Sequence, residues 1–178
     1  MRAVSNHSAD SGSIIKIPHF VCDERGRYRA RAALTEAQII KAAKVLLNRQ
    51  ISQGVALTSP NFTATWLQAH YRDLEHEVFV CLFLDNQHRI INAEQLFRGT
   101  IDGASVYPRE VLKRALQLNA AALIFAHNHP SGILSPSNED KYITEKLVKA
   151  LALVDIRVLD HFIVSKRGYF SFAEHGLI

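Results

Sequence analysis

The stretch AHNHPSGILSPSNED, residues 126 to 140, carries two histidines, a serine and an aspartate at spacings that suit one kind of chemistry. His127 and His129 are two residues apart, so in a strand both project to the same side while Asn128 points away. Zinc in a hydrolytic site takes three protein ligands and keeps one position for water. The two imidazoles supply two of the three, and Asp140, at the start of a helix, can add a carboxylate oxygen. Pro130, Gly132 and Pro136 suit a loop that turns the chain back sharply between them. Water on such an ion has its pKa lowered from about 15.7 to about 7, which gives a nucleophile near neutral pH. Ser137 offers a hydroxyl close to the metal for a developing oxyanion. A base must come from elsewhere, and Glu75 and Glu77 are the carboxylates at hand. Ser137 and Asp140 also form the pattern of a helix capping box, a role compatible with ligation.

The elements that must position these groups are readable from periodicity. EVFVCLFLD (77–85) is a strand rich in β-branched and aromatic residues, and a turn at Asp85-Asn86-Gln87 leads to a second, RIINAEQLF (89–97). Gly99 and Gly103 flank a loop, and Pro108 opens a helix. AALIFAH (121–127) is almost continuously apolar, which predicts a central strand buried on both faces. A helix over about 137–153 follows the histidine loop, and IRVLDHFIVS and GYFSF add two strands joined at Lys166-Arg167-Gly168. Upstream, Thr35 and Gln38 make a capping box before Ile39, Ile40, Ala43, Leu46 and Leu47, with Gly54 as the stop. Ser59-Pro60 opens another helix that turns Phe62, Trp66, Leu67 and Ala69 inward. Alternating strands and helices predict an α/β fold with a sheet covered on both faces.

Composition narrows the class. The 178 residues, 48% hydrophobic and 21% charged, fit one globular domain with an extension. No run approaches the roughly 18 apolar residues of a membrane span, and the first thirty residues lack a signal-peptide core, so a cytoplasmic location is expected. Cys22 and Cys81 set no disulfide framework, and His19 with Cys22 lacks the second pair a zinc site needs. Residues 1–13 are small and polar and predict disorder; residues 14–34 fit one or two strands or an extended arm. Of the net charge of +4, the first fifty residues hold +5 (nine Lys/Arg against four Asp/Glu). Arg25, Arg27, Arg29 and Arg31 alternate, so an extended chain puts them on one face that could track nucleic-acid phosphates; a solvated edge strand is the simpler reading.

The pattern His127-x-His129-Pro130, six residues, Ser137, two residues, Asp140 resembles in full the JAMM signature of the MPN metalloproteases. LFRGTIDGASVYPREVLKRALQLNAAALIFAHNHPSG and DIRVLDHFIV are similar to the RadC (UPF0758) branch, and the likeness covers about residues 59–178. The resemblance implies an MPN fold, akin to cytidine deaminases, with a mixed, mostly antiparallel sheet flanked by helices. It implies a zinc ion (Zn2+) on His127, His129 and Asp140, Ser137 assisting at the oxyanion, and Glu77 rather than Glu75 as catalytic base. Eukaryotic members cleave isopeptide bonds to ubiquitin, so a peptide or protein substrate carries over as a class. The implied division is a basic arm (1–33), a linking helix (34–58) and a catalytic domain (59–178). No helix-hairpin-helix region is recognisable ahead of it, as in short, prophage-type members.

Two functions compete: a zinc-dependent metallopeptidase or isopeptidase, and a nucleic-acid-associated factor in DNA metabolism with the metal in support. A third class, a scaffold around a structural metal, sits poorly with an open position and a spare carboxylate. The triplet His127-Asn128-His129 is not the dispersed HNH nuclease motif, and the H-x-E and P-C-x-x-C of zinc deaminases are absent. Asp160-His161 reads as a hydrogen-bonded core pair or as support behind the ligands, the core reading being the simpler. His7, His70, His76, His88 and His175 read as surface positions, while Arg98, Tyr107 and Arg109 flank the Gly99–Gly103 loop as anchors or substrate contacts.

Overall fold

The computed structural model describes residues 16–178 except 53, 58 and 100–105. The expected disorder of residues 1–13, the position of His7 and most of the Gly99–Gly103 loop lie outside the described residues. Two compact units divide at Val45.

In the first unit β1 (Phe20–Cys22) and β2 (Tyr28–Ala30) form an antiparallel hairpin. Asp23 shapes its turn: one carboxylate oxygen accepts the Arg25 and Arg27 N–H groups, and the other meets the Arg27 guanidinium at 2.7 Å. Gly26 takes the left-handed conformation that closes the turn (φ 74°). The alternating arginines therefore do not share one extended strand. Arg25 and Arg27 sit in the turn, Arg27 is paired, and Arg29 alone of the four lies within a strand. The Thr35–Gln38 capping box forms as expected and starts α1 (Glu36–Ser52), which runs across the division.

The second unit is built on one five-stranded sheet in the order β4-β3-β5-β6-β7. The strands are β3 (Val78–Leu84), β4 (Ile90–Arg98), β5 (Ala122–Asn128), β6 (Arg157–Ser165) and β7 (Gly168–Ser171). Every pairing is antiparallel except β5 with β6. A parallel pair needs a long crossover, and α4 (Asn138–Ala152) supplies it. β3 and β5 are buried along their whole length, which explains their unbroken apolar runs.

Side-chain alternation divides the core into two layers. Val78, Val80, Leu82, Ala122, Ile124 and Ala126 face Trp66 and Leu67 of α2 (Pro60–Tyr71). Phe79, Cys81, Phe83, Leu123 and Phe125 face Val111 and Ala115 of α3 (Pro108–Gln117) and Leu147 and Leu151 of α4. This is a helix–sheet–helix sandwich of MPN/JAB type. Extending the Leu123, Phe125 series by two residues brings His127 to the α4 face, where Asp140 begins its helix. Among the described residues no helix is long and apolar enough to cross a membrane.

Candidate metal centre

His127 is the penultimate residue of the fully buried β5 and is 2% exposed. Beyond it, the His129 N–H donates to the Val164 carbonyl at 2.9 Å, which ties the strand end to β6. Pro130 then starts a turn closed by Gly132 N–H on the His129 carbonyl at 3.0 Å. Gly132 has φ 82°, so the chain can reverse there and bring the Ile133 carbonyl 2.6 Å from His129 Nδ1. A carbonyl only accepts, so His129 Nδ1 carries a proton, and Nε2 is the nitrogen turned towards the cluster.

Ser137 is the N-cap of α4, and the capping box is complete. Its hydroxyl accepts the Asp140 N–H at 3.0 Å, while its own N–H and hydroxyl both donate to Asp140 Oδ2, at 2.8 and 2.7 Å. One carboxylate oxygen is thus held by the cap. The other, Oδ1, is fully buried with no hydrogen-bond partner, 3.1 Å from His127 Nε2. The two Nε2 atoms stand 2.9 Å apart. One ligand atom from each of His127, His129 and Asp140 lies within 4.8 Å of the others, a group that could hold a metal ion. Two imidazole nitrogens and an orphaned carboxylate oxygen converging at a buried point are a donor set that a divalent cation satisfies.

Charge within the centre follows from these contacts. Burial works against ionising Asp140, but His127, His129 and Ser137 outweigh it and hold its carboxyl well below the usual range. Burial likewise opposes a charge on His129, yet Asp140, the Ile133 carbonyl and the nearby Glu77 together raise its imidazole above the ordinary value.

Glu77 is half-buried where the chain enters β3. It shares a small cavity with His127, walled by Phe79, Phe97, Gly99 and Val106. Phe79 pairs with His127 across the β3–β5 ladder, so Glu77, two residues earlier, falls on the face of the metal group. Glu75 is exposed and does not line that cavity. Arg98 also lines it, whereas Tyr107 is the exposed N-cap of α3 and Arg109 is exposed.

His161 is fully buried, and its Nε2 lies 2.8 Å from His127 Nδ1. It is therefore both a core histidine and a support behind His127, one of the three residues that could hold a metal ion. Asp160 is not its side-chain partner: it accepts the His161 backbone N–H, the Ser171 hydroxyl and the Ala173 N–H. His70 is half-buried against Trp66 rather than a plain surface residue. Two residues that matter here gave no signal of their own. Thr144, four residues after Asp140, bonds His161 at 2.6 Å, and Asn128 clamps the approach to β3. An Asp-x-x-x-Thr spacing on one helix face was the trace that could have exposed the first.

A JAB-type sandwich with a His-His-Asp group where its central strand meets the next helix defines the class. The sequence model of the RadC-like JAB domain matches residues 57–177. This chain belongs to the RadC family. A UPF0758 protein of Thioalkalivibrio sulfidiphilus is 56% identical over 86% of this chain and 68% of its own length. One from Vibrio atlanticus is 52% identical over 88% of this chain and 70% of its own. A third, from Nitrosococcus oceani, is 60% identical over 74% and 59%.

Proposed function

We propose that this protein is a zinc-dependent hydrolase of the metallopeptidase type, acting on peptide or isopeptide bonds. The observation that carries the reading is the buried Asp140 Oδ1, left without a hydrogen bond beside two imidazole Nε2 atoms. His127, His129 and Asp140 would hold the zinc ion, which would supply Lewis acidity and lower the pKa of water to about 7. The chain's own groups do the rest. Glu77 takes a proton from the attacking water and delivers it to the leaving amine, a role worth about 10²–10⁴ in rate. Ser137 first serves Asp140: its hydroxyl proton points at Oδ2, so it reaches an oxyanion only by turning from that bond. His129 and Asp140 are held by groups that accept or donate on their far sides, which keeps the ligand atoms aimed at one point.

The test is metal analysis of the purified protein joined to cleavage of a peptide library, with and without chelator. The reading expects one zinc per chain and cleavage that stops when the metal is withdrawn and returns with zinc. Bound zinc with no cleavage of any peptide, or cleavage indifferent to chelator, overturns it.

A further inference from the structure

Behind His127 and Asp140 runs a line of hydrogen bonds through two residues, His161 and Thr144, that the hydrolytic reading does not use. Thr144 Oγ1 lies 2.6 Å from the Asp140 backbone carbonyl and 2.6 Å from His161 Nδ1, and His161 Nε2 lies 2.8 Å from His127 Nδ1. We infer that His161 and Thr144 form a positioning relay that locks His127 in the tautomer with Nδ1 protonated and Nε2 bare, ready for a metal ion. Its purpose rests on the zinc reading, but the tautomers are a property of the chain alone.

Proton direction follows from the one end of the line that cannot donate. The Asp140 carbonyl only accepts, and two oxygens at 2.6 Å need a hydrogen between them. Only the Thr144 hydroxyl can supply it. With that proton spent, Oγ1 must accept from His161, so Nδ1 of His161 carries its hydrogen. A neutral imidazole has one N–H, which leaves His161 Nε2 as an acceptor. The hydrogen of the 2.8 Å contact then belongs to His127 Nδ1, and His127 Nε2 is bare. The opposite direction would leave the Thr144–Asp140 contact without a hydrogen and put a proton on the ligand nitrogen.

The His161 ring is fixed enough to transmit this choice. It stacks on Phe172 at 4.8 Å between centroids and meets Phe79 and Phe125 edge-on at 5.5 and 5.9 Å. A half-turn that exchanged its nitrogens for carbons would break both of its ring hydrogen bonds. The relay also closes on itself: it begins at the ring of one ligand and ends on the backbone of another, joining β5, β6 and α4 around the site. Partners that orient ligating histidines in this manner contribute about 10–100-fold in metal affinity.

The test reads histidine tautomers by long-range nitrogen–proton NMR in metal-free and zinc-loaded wild-type protein, and zinc affinity by competition with a chelator. His161 is expected to be protonated at Nδ1 in both states. Thr144→Val removes the hydroxyl at nearly constant volume, and is expected to release the His161 tautomer and weaken zinc by about 10–100-fold. Thr144→Ser restores both. A wild-type His161 protonated at Nε2, or a Thr144→Val protein with unchanged zinc affinity, overturns the relay. A wild type that binds no zinc defeats the hydrolase reading instead, while the tautomer measurement still decides this one.

Discussion

The side chain of Asn128 holds the backbone of Val78: its carboxamide oxygen accepts the Val78 N–H at 2.8 Å. Its Nδ2 donates to the His76 carbonyl at 3.0 Å and reaches the Leu74 carbonyl at 3.4 Å. Glu77 lies between two of these anchors, so the residue separating His127 and His129 also fixes the backbone that carries the Glu77 carboxylate. Asn128 is fully buried, and truncation strands the buried Val78 N–H and leaves the His76 and Leu74 carbonyls without this donor. Asn128→Ala should cost about 1–3 kcal/mol in chemical denaturation. Asn128→Asp should cost more at neutral pH, because it turns an acceptor towards two carbonyls. Equal stability of all three proteins would show that the clamp is idle.

Much of this was legible in the residues, and the exceptions share a cause. The apolar runs of β3 and β5 announced their burial, and Ser137 with Asp140 announced the cap, because each signal is local. The bond from Asn128 to Val78 joins positions 50 apart, and the contact of His127 with His161 joins positions 34 apart. No periodicity carries such a pairing; it appears only once β3, β5 and β6 are in register. The arginine run failed for the opposite reason. Alternation assumes an extended strand, and Asp23 with Gly26 folds the run into a hairpin.

Glu77 is the residue on which the proposed chemistry depends. Its cavity position beside His127, and the exposure of Glu75, make the two carboxylates separable by mutation. Glu77→Gln is expected to keep stoichiometric zinc and lose about 10²–10⁴ in hydrolysis. Glu75→Gln should behave as wild type in both assays. Full turnover by the Glu77 variant on a substrate the wild type cleaves would remove it from the reaction.

Zinc should also stabilise the fold, because the ligand group is assembled by β5 and α4 together and is dispersed on unfolding. A ligand at a hundred times its dissociation constant adds about 2.7 kcal/mol. For a chain of this size that corresponds to a rise in Tm of about 5–11 °C. Asp140→Asn keeps an oxygen but loses the charge, and its Tm should be indifferent to added zinc. A zinc-induced shift in that variant as large as in wild type would place the ion elsewhere.

The outer strand β4 is tied to α3 by an ion pair. On β4, Glu94 takes two bonds from the Arg114 guanidinium of α3, one through Nε at 2.8 Å and one through Nη2. The Arg114 hydrogen bonds are the main reason the Glu94 carboxyl sits below its ordinary value of 4.5, burial acting against them. A carboxyl whose pKa is lower folded than unfolded binds its proton less well in the native state. Its stabilisation is therefore complete above the unfolded pKa and fades as pH falls through the folded one. Glu94→Gln removes the titration but keeps the shape. At neutral pH the wild type should melt about 2 °C above this variant, a partly exposed pair being worth little. As pH falls through the lowered folded pKa the gap should close, because both proteins then present an uncharged group to Arg114. A gap that stays constant from neutral to acid pH would mean that the β4–α3 contact is held by packing and not by the ion pair.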